Sequence, residues 1–203
     1  MLDSPSLAES FASTSTSLLR RAQAHEPAAW RRLVELYSPL VYHWCRRVRL
    51  PPQDAGDVLQ DVFQAVAAAL GRFRIADPAS SFRGWLRTIT QNKLRDYFRN
   101  RRRTPEAAGG SSAQQDMLEI AEVRLGEGGV TEEEEQRLLF RRGLQLVALE
   151  FEDSTWQAFW RVTIQGQSPA GVAADLGLSL NAVYKAKSRV LVRLREHLAD
   201  ASD

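Results

Sequence analysis

Apolar residues recur at three- and four-residue steps along most of the chain, the spacing that gives a helix one apolar face. The segment DVLQDVFQAVAAALGRF shows it most clearly, through Val58, Val62, Ala65, Val66 and Ala69. The alternation of apolar and polar residues that is typical of strands is absent, and β-branched residues seldom cluster. The pattern predicts an all-α protein.

Helix-breaking residues divide the first half of the chain into segments. A helix is expected over 17–37, continuing after Pro39 as LVYHWCRRVRL until Pro51 and Pro52 break it. A further helix begins near Asp54. The segment RIADPASS then predicts a loop, because it combines proline with small polar residues. The helix GWLRTITQNKLRDYFRNRRR follows that loop.

A change of composition separates the two halves. Residues 104–130 include TPEAAGGSSAQQ and later GEGG, which is typical of a flexible linker. Thr131 and Glu134 then resemble a capping box that begins a new helix. Asp153 or Ser154 is expected to cap the helix after it.

The sequence therefore predicts two small helical domains joined by a flexible linker. The Ser/Thr-rich beginning of the chain is most simply a disordered tail. The expected organisation is a tail over 1–17, a helical domain over 18–104, a linker over 105–130, a second helical domain over 131–198 and a tail over 199–203.

The sharpest local pattern is SPAGVAADLGLSLNAVYKAKSRVLVRLREHL. Ala173 is small enough for close helix packing, and Gly177, four residues later, permits the left-handed backbone that ends a helix sharply. Ser179 then caps a second helix. The positions of that helix expected to face inward are Leu180, Val183 and Val190. This arrangement predicts a DNA-binding helix-turn-helix.

The outward face of this second helix is polar and basic. Lysine and arginine reach phosphates or guanine edges, and asparagine pairs with adenine. The alternative is a helical hairpin with a solvated basic face. The candidate DNA contacts are Ser179, Asn181, Ala182, Tyr184, Lys185, Lys187, Ser188 and Arg189.

The helix before the linker mixes aromatic residues with arginines. A buried helix would not carry so many arginines, and a solvated helix would not need Trp85, Tyr97 and Phe98. Net charge is only +2, but acids gather over 54–61 and 132–135 and bases over 95–103 and 185–195. Such segregation serves either different partners or different solvated faces.

Several function classes are not supported by the composition. The single cysteine, Cys45, excludes an intramolecular disulfide and a cysteine-rich zinc site. No apolar run is long enough to cross a membrane, and the N-terminus lacks the features of a signal peptide, so a cytoplasmic location is expected. The three histidines are scattered and no nucleophile constellation is present, so we expect no catalysis, metal or cofactor.

The order of motifs resembles the extracytoplasmic-function group of bacterial RNA polymerase sigma factors. The resemblance covers 18–198 and is carried by GDVLQDVFQAV, RFRIADPASSFRGWL, ITQNKLRDYFRNRRR and the helix-turn-helix. It implies a region-two domain first and a region-four domain last. It also implies core RNA polymerase and promoter DNA as partners, and an anti-sigma factor is usual in the group.

The resemblance also implies roles for individual residues. Those expected to bind the clamp of core polymerase are Asp54, Asp57, Gln60, Asp61 and Phe63. Those expected to open the minus-ten element are Ser80, Ser81, Phe82, Trp85, Asn92, Lys93 and Arg99. Trp85 is alternatively a core residue, and 101–103 either track phosphates or form a solvated helix end. The helix-turn-helix residues would read the minus-thirty-five element.

Two other hypotheses compete with a sigma factor. A stand-alone helix-turn-helix regulator would bind duplex DNA without polymerase, but it needs neither the acidic helix nor the aromatic and basic one. An enzyme could use Asp54, Asp57 and Asp61 as metal ligands, since the last two share a helix face. Acidic helix starts are more commonly electrostatic, because they face the positive end of the helix dipole.

Overall fold

The computed structural model describes residues 15–74, 81–103 and 131–198. Regular structure within those ranges is helical, with eight α-helices and no strand, which confirms the predicted all-α class. The predicted linker, the loop over 75–80, and most of both tails lie outside the described residues. The helices are α1 (Thr16–Gln23), α2 (Pro27–Arg47), α3 (Pro52–Ala69), α4 (Phe82–Arg103), α5 (Glu132–Ala148), α6 (Asp153–Thr163), α7 (Pro169–Asp175) and α8 (Leu180–Leu198), with a 3-10 turn over Leu70–Arg72.

The described residues form two compact units. The first unit comprises 20–135, and the second unit comprises 15–19 together with 136–198. The division therefore falls inside α1 and inside α5. None of the described helices is long and apolar enough to cross a membrane.

The continuous helix predicted over 17–37 is wrong, because the chain turns between α1 and α2. His25 has a φ of 59°, and Pro27 is the first residue of α2. Proline suits that position, where its missing N–H has no partner to lose. Pro39 lies inside α2, so the helix continues through it to Arg47.

The first unit has a core formed by α2, α3 and α4, which pack against one another. Each large apolar side chain buried there contributes about 1.5–3 kcal/mol. The Gln23 side-chain amide donates to the carbonyl oxygens of Leu70 and Phe73 at 2.9 and 2.8 Å, which ties α1 to the end of α3. The core residues include Leu33, Tyr37, Leu40, Val41 and Trp44 of α2, Val58, Val62 and Val66 of α3, and Leu86, Leu94 and Phe98 of α4.

The first turn of α5 belongs to the first unit. The amide of Glu134 donates to Thr131 Oγ1, and the amide of Thr131 donates to Glu134 Oε2, both at 3.2 Å, so the predicted capping box is confirmed. The cap of α6 was predicted wrongly. Glu152 occupies the N-cap position without a side-chain hydrogen bond, and Asp153 is already the first helical residue.

In the second unit, α6, α7 and α8 surround a small core of Ala158, Val172, Ala173, Val183 and Ala186. A sharp turn joins α7 to α8. Gly177 has a φ of 64°, and the amide of Leu178 donates to the carbonyl oxygen of Ala173 at 2.9 Å. This is the hydrogen-bond pattern of a glycine-terminated helix, and it directs the chain into α8.

The inward face predicted for α8 is correct at two of its three positions. Val183 and Val190 are fully buried. Leu180, in contrast, has 45% of its surface exposed. It is the first residue of α8 and precedes the buried Val183, so its side chain is only partly covered.

Candidate functional site

Three of the five residues predicted to bind polymerase share one exposed face of α3. Gln60 and Asp61 lie three and four positions after Asp57, so both neighbour it on the same side of the helix. All three are exposed. The face carries the carboxylates of Asp57 and Asp61, so it is suited to a basic partner surface.

Asp54 is held inside the first unit rather than presented with that face. Tyr97 donates its hydroxyl to Asp54 Oδ2 at 2.6 Å, and Arg101 Nη1 lies 3.2 Å from the same oxygen. Arg101 also donates to the Tyr97 hydroxyl oxygen at 2.6 Å. Burial and the hydrogen bond to Asp54 raise the pKa of Tyr97. The network joins the first turn of α3 to the last turns of α4.

Phe63 was predicted as a polymerase contact, but the structure places it in the core. Only 7% of its surface is exposed, and its ring meets the Trp30 ring edge-on at a centroid distance of 6.3 Å. It therefore does not lie on the surface formed by Asp57 and Asp61. Phe63 lies three turns into α3, on the apolar face of this amphipathic helix.

The residues predicted for the minus-ten element divide into a structural group and an exposed group. Ser81 Oγ accepts from the amide of Gly84 at 3.0 Å and so caps α4. Phe82 is 4% exposed, with its ring 5.0 Å from that of Tyr37. Ser80 lies outside the described residues. Ser81 and Phe82 thus form the entry to α4.

Trp85 combines packing with partial exposure. Its ring centroid lies 5.0 Å from that of Phe73 and 5.6 Å from that of Phe82. These contacts favour the interpretation as a packed residue, since such aromatic pairs stabilise a core beyond the area they bury. The ring is nevertheless only half-buried, so one side remains available at the surface of the first unit.

Asn92 and Arg99 are exposed on α4, and Lys93 beside them is half-buried. Asn92 Oδ1 accepts from Arg95 Nη1 at 3.2 Å, and Arg99 Nη2 lies 2.5 Å from Asp96 Oδ1. An exposed ion pair such as that of Arg99 and Asp96 contributes little to stability. Little stability is therefore lost if these side chains turn toward a ligand.

Two arginines of α4 have a role that the sequence did not reveal. Glu135 is 2% exposed, and its carboxylate accepts from Trp44 Nε1 at 2.8 Å and from Arg87 Nη2 at 2.5 Å. Arg83 Nε lies 3.3 Å from its other oxygen, and Arg83 also pairs with Glu132. The acidic run over 132–135 was the available signal, but the partners of Glu132 and Glu135 are 48 or more positions away.

His43 lies near this acidic turn. Burial lowers its pKa, and the positive charge of Arg47 lowers it further. Glu134 and Glu135 act in the opposite direction. The outcome is a histidine that resists protonation, because desolvation disfavours the charged imidazolium.

The outward face of α8 carries most of the predicted DNA contacts. Ser179 Oγ accepts from the amide of Ala182 at 3.1 Å, so the side chain of Ser179 is occupied as the N-cap. Ala182 and Lys187 are half-buried. The Arg189 guanidinium lies 5.8 Å from the centre of the Phe151 ring. The exposed residues are Ser179, just before α8, and Asn181, Tyr184, Lys185, Ser188 and Arg189.

A groove of about 700 Å³ lies between α5 and α6 within the second unit. Its apolar lining includes Leu144, Trp156 and Trp160, and Arg141 and Arg161 lie among its lining residues. The sequence showed the aromatic residues of α6 but not the groove, because only packing against α5 creates it.

Comparison with known proteins identifies related chains. A family model for Sigma-70 region 2 matches residues 33–104. RNA polymerase sigma factor CnrH of Cupriavidus metallidurans is 32% identical over 183 residues, covering 87% of this chain and 90% of that protein. ECF RNA polymerase sigma factor BldN of Streptomyces coelicolor is 28% identical over 194 residues, covering 95% of this chain and 69% of that protein.

One solved structure is also similar over most of its length. It is the structure of CnrH in complex with the cytosolic domain of CnrY, with 25% identity, and it covers 87% of this chain and 92% of that chain. Its TM-score is 0.37. At that value the two folds superpose poorly, so the family relationship rests on the sequence matches.

Proposed function

This chain belongs to the extracytoplasmic-function group of RNA polymerase sigma factors, and we propose how its two units divide that work. The observation that carries the proposal is the Sigma-70 region 2 match, because residues 33–104 contain both the acidic face of α3 and the polar face of α4. The chain directs core polymerase to promoters in the cytoplasm, and the polymerase performs the chemistry.

The acidic face formed by Asp57, Gln60 and Asp61 docks on core polymerase. It supports this role because exposed carboxylates that no described residue pairs with favour a basic surface and accelerate encounter with it. Asp54 and Phe63 act indirectly. Asp54 fixes the start of α3 through Tyr97, and Phe63 fixes its other side through Trp30.

The exposed face of α4 engages the minus-ten element. Asn92 hydrogen-bonds an unpaired base, while Lys93 and Arg99 hold phosphates. The exposed side of Trp85 offers a stacking surface, and base stacking on an aromatic ring returns about 1–3 kcal/mol. That gain offsets part of the few kcal/mol needed to unstack a base.

In the second unit, α7 and α8 act as a helix-turn-helix that reads the minus-thirty-five element. The glycine turn at Gly177 and the cap at Ser179 support this role, because they fix the angle at which α8 leaves α7. We expect the predicted linker over 105–130, which lies outside the described residues, to span the distance between the two promoter elements. Roughly 26 residues extend to about 90 Å, which exceeds the roughly 70 Å between elements two DNA turns apart.

A titration of labelled protein with bacterial core polymerase tests the docking face. The Asp57→Lys and Asp61→Lys double variant is expected to bind core at least tenfold more weakly, because two attractive charges become repulsive. The control is Glu152→Lys, a charge reversal at an exposed position of the second unit.

Unchanged affinity of the double variant would contradict the docking proposal. Specific duplex binding by a protein that never associates with core would instead favour a stand-alone regulator. Footprinting of unpaired thymines in the promoter complex tests α4. There, Asn92→Ala is expected to reduce melting while core affinity stays unchanged.

A further inference from the structure

Two large apolar side chains stand exposed at the beginning of α8. Leu180, its first residue, is 45% exposed, and Tyr184, one turn later, is 53% exposed. Residues four apart lie on the same helix face, so the two form one apolar pair. The core-facing residues Val183, Ala186, Val190 and Leu194 of the same helix are buried.

Folding does not account for this apolar pair. Ser179 already caps α8, and the core below is closed by Val183 and Ala186. A polar residue at position 180 would satisfy the first turn of a helix equally well. Exposed large apolar groups side by side are more typical of a binding surface than of a solvated one.

The surroundings of the apolar pair favour nucleic acid as its partner. Lys185 and Arg189 are exposed on the same helix, and Asn181 follows Leu180 directly. These charges suit phosphates on either side of a groove, and an asparagine amide pairs with adenine. In a helix-turn-helix, the first residues of the second helix approach the base edges.

The major groove of DNA presents one apolar group to a protein, the C5-methyl of thymine. We propose that Leu180 and Tyr184 contact thymine methyl groups and so select A·T pairs in the minus-thirty-five element. This inference rests on the proposed function of the second unit. Asn181 adds adenine recognition at the same place, so methyl contact and hydrogen bonding select the same kind of base pair.

The test exchanges thymine for deoxyuridine, which removes the methyl group and leaves base pairing intact. The minus-thirty-five sequence is first selected from a randomised promoter library by holoenzyme assembled from the full chain and core polymerase. Binding is then measured on duplexes carrying thymine or deoxyuridine at each selected position. Wild-type holoenzyme is expected to lose about fourfold in affinity for each contacted methyl group.

Substitutions show which side chain meets the methyl group. Holoenzyme with Leu180→Ala is expected to bind the thymine and deoxyuridine duplexes with equal affinity at one position of the element. Holoenzyme with Tyr184→Ala is expected to do so at a different position. Tyr184→Phe should keep the preference for thymine, since it retains the ring. The control Val192→Ala removes an exposed apolar residue 12 positions further along α8 than Leu180 and should leave the preference unchanged. Thermal unfolding verifies that each variant is folded.

Three results would overturn the inference. The first is a selected element that contains no thymine. The second is equal binding of both duplexes by wild-type holoenzyme that still transcribes. The third is weaker binding of core polymerase by the alanine variants in the absence of DNA, which would assign the apolar pair to a protein partner. Failure of the proposed function is distinguishable, because it would appear as absence of promoter-dependent transcripts. That failure would remove the basis of this inference as well.

Discussion

The hydroxyl of Tyr97 donates to the carboxylate of Asp54 at 2.6 Å, although the two residues are 43 positions apart in the chain. Arg101 contacts both groups. The contact joins the beginning of the acidic helix α3 to the basic end of α4. Asp54, which the sequence predicted as a polymerase contact, thus links α3 to α4 within the first unit.

Removing this link is expected to destabilise the first unit without abolishing function. Asp54→Ala leaves the Tyr97 hydroxyl and Arg101 without their acceptor, so the free energy of unfolding should fall by about 1–2 kcal/mol. Urea denaturation measures this loss. Tyr97→Phe removes the same hydrogen bond, and the double variant should lose less than the sum of the two single variants. Strict additivity would show that the two groups are not coupled.

Removal of the buried Glu135 carboxylate is expected to lower the free energy of unfolding more than removal of Asp54. Glu135→Ala leaves Arg83, Arg87 and the Trp44 indole without their shared acceptor, and we expect a loss of about 3–5 kcal/mol in the free energy of unfolding. Glu132→Ala is the matched control, because Glu132 pairs with Arg83 but its side chain is 72% exposed, so its loss should stay below about 1 kcal/mol. Equal losses in chemical denaturation would contradict the importance of burial.

Acid should destabilise the first unit partly through His43. Burial and Arg47 lower its pKa from the ordinary value of 6.5, against the opposing charges of Glu134 and Glu135. As pH falls through 6.5, the unfolded chain therefore binds a proton that the folded chain resists, and stability decreases. Urea midpoints measured at pH 7.5 and pH 5.5 should differ more for the wild type than for His43→Gln. The same difference in both proteins would show that other groups cause the loss.

The positive φ at position 177 favours glycine. Gly177→Ala places a side chain at a φ of 64° and should cost about 1 kcal/mol, detectable as a lower melting temperature. Gly56 provides the contrast. It lies inside α3, and a Cβ there meets nothing within 4 Å, so Gly56→Ala should raise stability by roughly 0.5–1 kcal/mol. Destabilisation by both substitutions would contradict this distinction.

What the sequence predicted correctly depends on neighbours along the chain. The capping box of Thr131 and Glu134 and the turn at Gly177 arise from residues within one or two helical turns, so their patterns are visible in the sequence. The break before Pro27 was also local and was missed because the apolar pattern continues across it.

The features that the sequence did not reveal depend on residues distant in the chain. Asp54 carries the same signal as Asp57 and Asp61, and only the position of Tyr97 distinguishes it. Leu180 fits the apolar pattern of α8, but the core ends before it reaches that residue. Glu135 belongs to an acidic run that looks solvated until Trp44 and Arg87 are folded against it. Sequence periodicity shows which face is apolar, not where a core ends.

Run-off transcription tests the central claim most directly. Purified protein is mixed with bacterial core polymerase and genomic promoter fragments, and transcripts are compared with those of core polymerase alone. The account predicts discrete transcripts that require the protein and that decrease sharply with the Asp57→Lys and Asp61→Lys double variant but not with Glu152→Lys. Identical transcripts with and without the protein, from core that binds it, would contradict its role in promoter selection.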